Sequence, residues 1–346
     1  MHSKKVLMYF IFFIALFLFA GAPVCSAAQP TNGPNPIAYP ERPRFRIFNT
    51  NEFRKIVPEG TDLKVLANNI NRYTVGPAWN PKEKFLVVSE VPTNTLFKYV
   101  PGEGLSIFRH PSQFASGNAY DASGRLLTCE NANGRIVALQ EDGKLESVVS
   151  EFEGKPLNSP YDIALKSDGT IWFSDPDYGL SKTRPGEQGG NFIYSFNPKS
   201  KICRRLAGPY EKPTGLCFSP DEKWLYLCNY GLTNLFERID RFELQEDGGL
   251  KPPTALIQVK PAIAGAVRCD QDGRIYTCAA NGVHVYGKDG QPIAQIITSL
   301  SPAGLCWGGE ENRTLFIAAR RYLYSLETKV AGSHAAQLLD TRKRVQ

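Results

Sequence analysis

Six times along the chain one short pattern returns: a strand-like run, a polar turn, and a second, strongly apolar strand-like run. Two clear copies are Tyr161-Asp162-Ile163-Ala164-Leu165-Lys166-Ser167-Asp168-Gly169, followed by Ile171-Trp172-Phe173-Ser174, and Thr214-Gly215-Leu216-Cys217-Phe218-Ser219-Pro220-Asp221-Glu222, followed by Leu225-Tyr226-Leu227-Cys228. Four more copies start at Val75, Ser116, Gly265 and Ala303, with second runs at 86–89, 126–129, 275–278 and 315–318. The starts lie about 40 to 50 residues apart, which suits one four-stranded blade each. A single blade cannot bury its own apolar faces, so the copies must stack on one another. Six copies predict an all-β fold, a six-bladed β-propeller. The run at 63–66 precedes the first copy and is expected to complete the last blade, which would remove exposed sheet edges.

The ends of the chain read differently. Lys4 and Lys5 precede an apolar run over 6–21, and the small-residue stretch Cys25-Ser26-Ala27-Ala28 follows. This is the order of a secretory signal peptide, assigned to 1–28. The expected location is therefore secreted or periplasmic, with no stable membrane insertion after cleavage. Residues 29–55 are expected to form an extended N-terminal segment, 56–330 the propeller, and 331–346 a C-terminal tail. A hydrophobic content of 42% supports a large core. The formal charge of +6 includes no basic run interleaved with aromatics, so nucleic acid is not an expected partner. Of the eight cysteines, all but Cys25 lie beyond the leader, without any C-x-x-C pair. That spacing argues against a disulfide framework or a zinc site. Most of them fall in apolar runs, where a free thiol behaves as a small buried hydrophobe.

The strings themselves carry a resemblance. Ser159-Pro160-Tyr161-Asp162, Lys166-Ser167-Asp168-Gly169-Thr170-Ile171-Trp172-Phe173-Ser174-Asp175-Pro176-Asp177-Tyr178-Gly179, Gly124-Arg125-Leu126-Leu127-Thr128-Cys129-Glu130 and Arg268-Cys269-Asp270 resemble the gluconolactonase and senescence-marker-protein (regucalcin-like) family. The resemblance runs from about Ile56 to Leu326. It implies a six-bladed propeller, usually a lactone or ester hydrolase, with one divalent metal such as calcium or zinc on the axis. The departures fall on the positions that matter for that metal. Val75 replaces the family's first-blade Glu, Tyr161 and Thr214 replace Asn residues of the third and fourth blades, and Gly265 replaces the fifth-blade Asp that binds metal and acts as base. Ser116 and Asn131 replace a second-blade Asn and a His. The ring formed by Val75, Ser116, Tyr161, Thr214, Gly265 and Ala303 then holds no carboxylate and no amide. A hard cation prefers several oxygen ligands, carboxylates among them. No metal is expected at this site, and no cofactor.

A second ring comes from the ends of the second runs: Glu90, Glu130, Asp175, Asn229, Ala279 and Ala319. Its acids could supply a general acid or base. Their plainer role is to accept hydrogen bonds from neighbouring blade backbones. The catalytic candidates are Tyr161 and Glu130, and the ligand-binding candidates are Ser116, Tyr161, Thr214, Glu90, Glu130, Asn131 and Asn229. Tyr161 either fills the space left by the metal or donates a hydrogen bond to a ligand, and Asp162 is expected to stabilise its turn. His110, His284 and His334 occupy no ring position, so a Ser/His/Asp triad is unsupported. Arg268 and Arg320 are expected to pair with acids between blades, and Trp79, Tyr120, Phe218 and Trp307 to pack between blades. Three functions are compatible with these residues. One is an exported propeller that binds a small organic molecule in its axial pocket, and in an enzymatic form transforms it without metal. The others are a non-catalytic ligand- or partner-binding propeller and a metal-dependent lactone or ester hydrolase.

Overall fold

The computed structural model describes residues 44–231 and 236–333. The signal-peptide reading, the 29–43 stretch and the tail beyond 333, His334 included, lie outside these residues. Six antiparallel sheets of four strands follow one another along the chain. Each begins with its innermost strand: Thr74–Asn80, Ala115–Tyr120, Ile163–Leu165, Pro213–Phe218, Val267–Cys269 and Gly304–Gly308, in blades 1 to 6. The second strands are Phe85–Glu90, Leu126–Glu130, Ile171–Asp175, Trp224–Gly231, Ile275–Ala279 and Thr314–Ala319. Neighbouring inner strands contact one another all the way round, blade 6 meeting blade 1. These are the strand pairs that the repeat located.

The ring closes as the sequence indicates. The strand Lys64–Ala67 pairs with Tyr322–Glu327, in the register Lys64↔Ser325 and Val65↔Tyr324, and so forms the outer strand of blade 6. Upstream, the expectation of an extended 29–55 segment needs correction. Phe45–Ile47 adds a fifth strand to blade 5, but Thr50–Ile56 is a helix. The cause is local: the Asn49 side chain accepts a hydrogen bond from the Glu52 N–H at 3.1 Å, an N-cap with an acid in the first turn. Arg274 reaches Glu52 at 3.3 Å, and Ile56 is buried against blades 5 and 6.

Packing between blades follows the repeat closely. Trp79 of blade 1 stacks on Phe316 of blade 6 at 5.3 Å. Tyr120 of blade 2 meets Phe85 of blade 1 at 6.5 Å, Phe218 of blade 4 meets Trp172 of blade 3 at 5.2 Å, and Trp307 of blade 6 meets Tyr276 of blade 5 at 5.1 Å. Each ring sits on the preceding or closing neighbour, with offset or edge geometry that aromatic quadrupoles favour. The cysteines behave as the apolar runs suggest: none of the seven described is in a disulfide, and all but Cys203 are buried.

His284, in the third strand of blade 5, is buried between Asn281 and Tyr286, whose side chains lie 2.8 and 3.2 Å from its two ring nitrogens. Burial pushes its imidazole down from the ordinary 6.5 to about 4. The unfolded chain therefore binds a proton between these values that the fold refuses. The stabilisation is present above pH 6.5 and is lost as pH falls toward 4. A titration of the His284 ring resonances by NMR is expected to give a midpoint near 4, and a midpoint above 6 would contradict the burial argument.

Candidate functional site

At one end of the axis the six repeat-opening residues stand together, as the repeat implies. Four are buried without a polar side chain or with one already engaged: Val75, Ala303, Ser116 and Thr214. The Ser116 hydroxyl lies 2.8 Å from Asn131 Oδ1, 2.9 Å from the Tyr161 carbonyl and 3.2 Å from the Pro160 carbonyl, and so ties blade 2 to blade 3. Thr214 Oγ1 donates to the Cys228 carbonyl at 3.4 Å. A Cβ placed on Gly265 would fall 2.6 Å from the Cys278 Cβ, so the thiol side chain occupies the volume that an aspartate would need. Tyr161 keeps a neutral phenol, because burial and then the neighbouring Tyr73 and Tyr178 raise it well above its ordinary value. This donor set does not fit a divalent cation, which asks for several anionic or carbonyl oxygens free to coordinate.

In the second ring Glu90 and Asp175 serve the backbone as expected, whereas Glu130 is held by side chains. Glu90 accepts from the N–H groups of Arg72, Tyr73 and Thr93 at 3.0, 3.2 and 2.8 Å, and from the Thr93 hydroxyl. Glu130 holds Arg109 at 3.0 Å, Arg135 at 2.8 Å and Asn133 at 2.9 Å. Asp175 accepts from the N–H groups of Asn158 and Ser159 at 2.8 and 2.7 Å. Burial raises Asp175 to about 7, and those two N–H groups draw it back. All three carboxyls are fully buried and fix the loops that feed the inner strands. Asn131 is likewise engaged, its carbonyl taken by Arg184 at 2.7 Å, while the Asn229 Oδ1 is buried with no hydrogen-bond partner.

Sequence reasoning missed the groups that give this end its character. Tyr73, Tyr161, Tyr178 and Tyr230 converge here, each keeping part of its surface open. The Tyr73 hydroxyl reaches across the axis to the Ala264 carbonyl at 3.4 Å, and the Tyr161 and Tyr178 rings lie 5.6 Å apart. Burial pushes Tyr73 up to about 12 despite its contact with Tyr161. Beneath the phenols lies Glu237, with no exposed surface, directly opposite Tyr230 on the adjacent strand of blade 4. Among the described residues neither Glu237 carboxyl oxygen has a hydrogen-bond partner. The Cys228 thiol and the Ile263 N–H are near enough to favour its charge, short of hydrogen-bond geometry, and burial overrides them and raises Glu237 to about 8. A sequence signal did exist for Tyr73, two residues before Val75. None existed for Glu237, whose strand Phe236–Glu243 carries charged residues on both faces.

An ion pair joins two blades that are not neighbours in the ring. Arg268 of blade 5 makes a two-pronged contact with Asp162 of blade 3, at 2.8 and 3.0 Å, and Asp162 also accepts from the Leu216 N–H at 3.2 Å. Asp162 is thus a tie between blades and not the turn stabiliser expected. Arg320 also departs from expectation: among the described residues it has no acid partner, and its carbonyl accepts from Thr74 Oγ1 at 2.8 Å. Beyond the pair, at the opposite end, a cavity of about 1010 Å³ opens, lined by Trp79, Tyr120, Phe218, Arg268 and Trp307 among others. None of the ligand-binding candidates borders that cavity. The unsatisfied buried acid does not border this cavity but lies with the tyrosines.

A profile of the SMP-30/Gluconolactonase/LRE-like region matches residues 73–321. The chain is 27% identical over 303 residues to a gluconolactonase of Zymomonas mobilis, covering 80% of this chain and 84% of that protein. The solved structure of a gluconolactonase from Xanthomonas campestris superposes with a TM-score of 0.76 at 26% identity, over 82% of this chain and 95% of that one. A calcium-binding regucalcin from Agrobacterium tumefaciens shares the fold, with a TM-score of 0.64 at 18% identity over 78% and 95% of the two chains.

Proposed function

This chain belongs to the SMP-30/gluconolactonase/LRE-like family, and from that premise we propose that it is an exported propeller that binds a small organic molecule at the tyrosine-lined end of its axis and acts there without the family's metal. One observation carries the reading: the ring offers hydroxyls, a neutral phenol and a glycine whose side-chain volume Cys278 fills. Restoring an anionic oxygen cage would take several coordinated changes, not one.

Within this reading Tyr161 is the hydrogen-bond donor to the ligand, because its phenol keeps its proton and faces the mouth. Glu130 is a clamp on the blade 2 loops, since its oxygens already serve two arginines and an amide. That no base stands beside Ser116 or Thr214 among the described residues also favours a purely ligand-binding protein as a second reading: the His110 ring contacts Thr95, and His284 lies in blade 5.

The deciding experiment is turnover of a lactone and ester panel, with and without chelator, beside elemental analysis of the purified protein. Chelator-resistant turnover supports a metal-free enzyme. Absent turnover with a ligand-dependent rise in melting temperature supports the binding protein. Turnover abolished by chelator and restored by one ion per chain would overturn the proposal in favour of the ancestral hydrolase.

A further inference from the structure

Glu237 presents an accounting problem that the fold alone does not solve. A buried acceptor without a partner costs about 1–3 kcal/mol, and more when it carries charge. Here both oxygens of one carboxyl are left without a hydrogen bond, in a fully buried position. The other acids at this end, Glu90, Glu130 and Asp175, each collect two or more donors. Asp162 and Arg268 satisfy one another. Glu237 alone among them is left short of donors.

The surroundings state what kind of donor would suit it. Glu237 and Tyr230 are cross-strand partners, so their side chains leave the sheet on the same face. The Glu237 charge acts on Tyr73, Tyr178 and Tyr230, as well as on Cys228, Cys278 and Tyr286. Tyr73 and Glu237 both approach the same connection, at Ala264 and Ile263 respectively. Among the described residues these neighbours are phenols and thiols, and the Arg320 guanidinium acts on Tyr73 at the edge of the cluster without ion-pairing to Glu237. The Lys212 ammonium is spent on Asp177. It lies 5.1 Å from the Tyr178 ring centroid, so a tyrosine of this cluster already accepts a cation against its face.

Aromatic faces gathered over a buried carboxylate suit a weakly hydrated organic cation, which gains from the ring quadrupoles and from the charge beneath. A divalent metal fits poorly, because one carboxylate among phenols is too few hard anionic ligands, and among the described residues no group of three or more His, Cys, Asp or Glu comes together. A neutral ligand would meet the carboxyl in its protonated form and gain nothing from its charge. We infer that the tyrosine cluster Tyr73, Tyr161, Tyr178 and Tyr230, with Glu237 as buried counter-ion, is a binding site for an organic ammonium group. This rests on the reading of the ring end as a small-molecule site and names the chemical class it takes. The phenols keep surface that the carboxyl lacks, so the cation seats on the rings with the carboxylate below it. Its arrival favours the ionised form of Glu237, which is otherwise held up to about 8 by burial. Binding therefore releases a proton near neutral pH and strengthens as pH rises toward 8.

The probe is choline, compared by calorimetry with its uncharged carbon isostere dimethylbutanol on the full mature chain. Saturable binding of choline, at least about tenfold tighter than the isostere, is expected, with affinity rising from pH 6 to pH 8. Glu237→Gln is expected to remove most of that preference and the pH dependence while keeping the melting temperature. Tyr161→Phe keeps the aromatic face but loses the hydroxyl that donates to the ligand, so it should weaken choline and isostere alike and leave the preference for choline, whereas Tyr161→Leu should lose that preference several-fold. If Glu237→Gln does not fold, the two Tyr161 variants and the isostere comparison still decide the matter. Equal binding of choline and isostere, no saturable choline binding at tens of millimolar, or Tyr161→Leu matching Tyr161→Phe in that preference would overturn the assignment. A chelator-sensitive lactonase would sink the metal-free reading whatever choline does, while chelator-resistant turnover without cation preference sinks only this inference.

Discussion

Replacing Asp162 by alanine is expected to remove about 3–5 kcal/mol of stability, the cost of stranding one member of a buried ion pair. The Arg268 guanidinium would stay near the axis with its two partner oxygens gone. Burial alone pushes that guanidinium toward its neutral form, and the Asp162 carboxylate outweighs burial and keeps it charged. The Leu216 N–H would lose its acceptor as well. Denaturant unfolding of the single variants Asp162→Ala and Arg268→Ala, and of the apolar double replacement Asp162→Leu with Arg268→Met, separates the net worth of the pair from the penalty of breaking it. The double variant is expected to be more stable than either single one, since apolar side chains need no counter-charge. A loss below about 1 kcal/mol for Asp162→Ala would show that water reaches the pair freely.

That pair also marks where sequence reading stops. The repeat located the blades because its cause is local: alternating apolar runs and turn residues recur wherever a strand pair must form. The closing strand at 64–67 and the interblade places of Trp79, Tyr120, Phe218 and Trp307 follow from the same register. So does the duty of Glu90 and Asp175, because an acid at a strand end beside a loop finds backbone N–H groups, whereas Glu130 departs from it by holding the side chains of Arg109, Asn133 and Arg135. What the repeat cannot give is which residues face one another across the axis. Asp162 and Arg268 are 106 positions apart, and Tyr73 and Ala264 are 191 apart. Neither pairing leaves a periodic trace. Glu237 was hidden for another reason: Glu237, Arg238, Asp240 and Arg241 put charge on both faces of one strand, so alternation does not tell the buried side from the open one. The helix at Thr50–Ile56 was legible in principle, since Asn49 and Glu52 form a capping pattern, but an all-β repeat downstream gives no reason to look for it.

Alanine at Gly76 is expected to be about as damaging, at a site with no charge. Its φ is +52°, a region where a Cβ costs about 1–2 kcal/mol. A Cβ there would also stand 2.0 Å from the Ser116 carbonyl oxygen and 2.8 Å from the Gly117 Cα. That is backbone of the next blade, which cannot turn aside as a side chain can, so overpacking adds about 1–3 kcal/mol. The sum, ~2–5 kcal/mol, should lower the melting temperature by roughly 3–8 °C in a chain of this size. Gly124 supplies the control: its φ is +86°, but nothing lies within 4 Å of a Cβ there, so Gly124→Ala should show the conformational cost alone. The difference between the two variants measures how tightly blades 1 and 2 are pressed together at the ring. Asn118 draws on the same contact, donating to the Gly76 carbonyl at 2.8 Å and lying 2.8 Å from Ser89 Oγ. If Gly76→Ala melted no lower than Gly124→Ala, the inner strands would have room to part, and the tight contact of blades 1 and 2 at the ring would not exist as described.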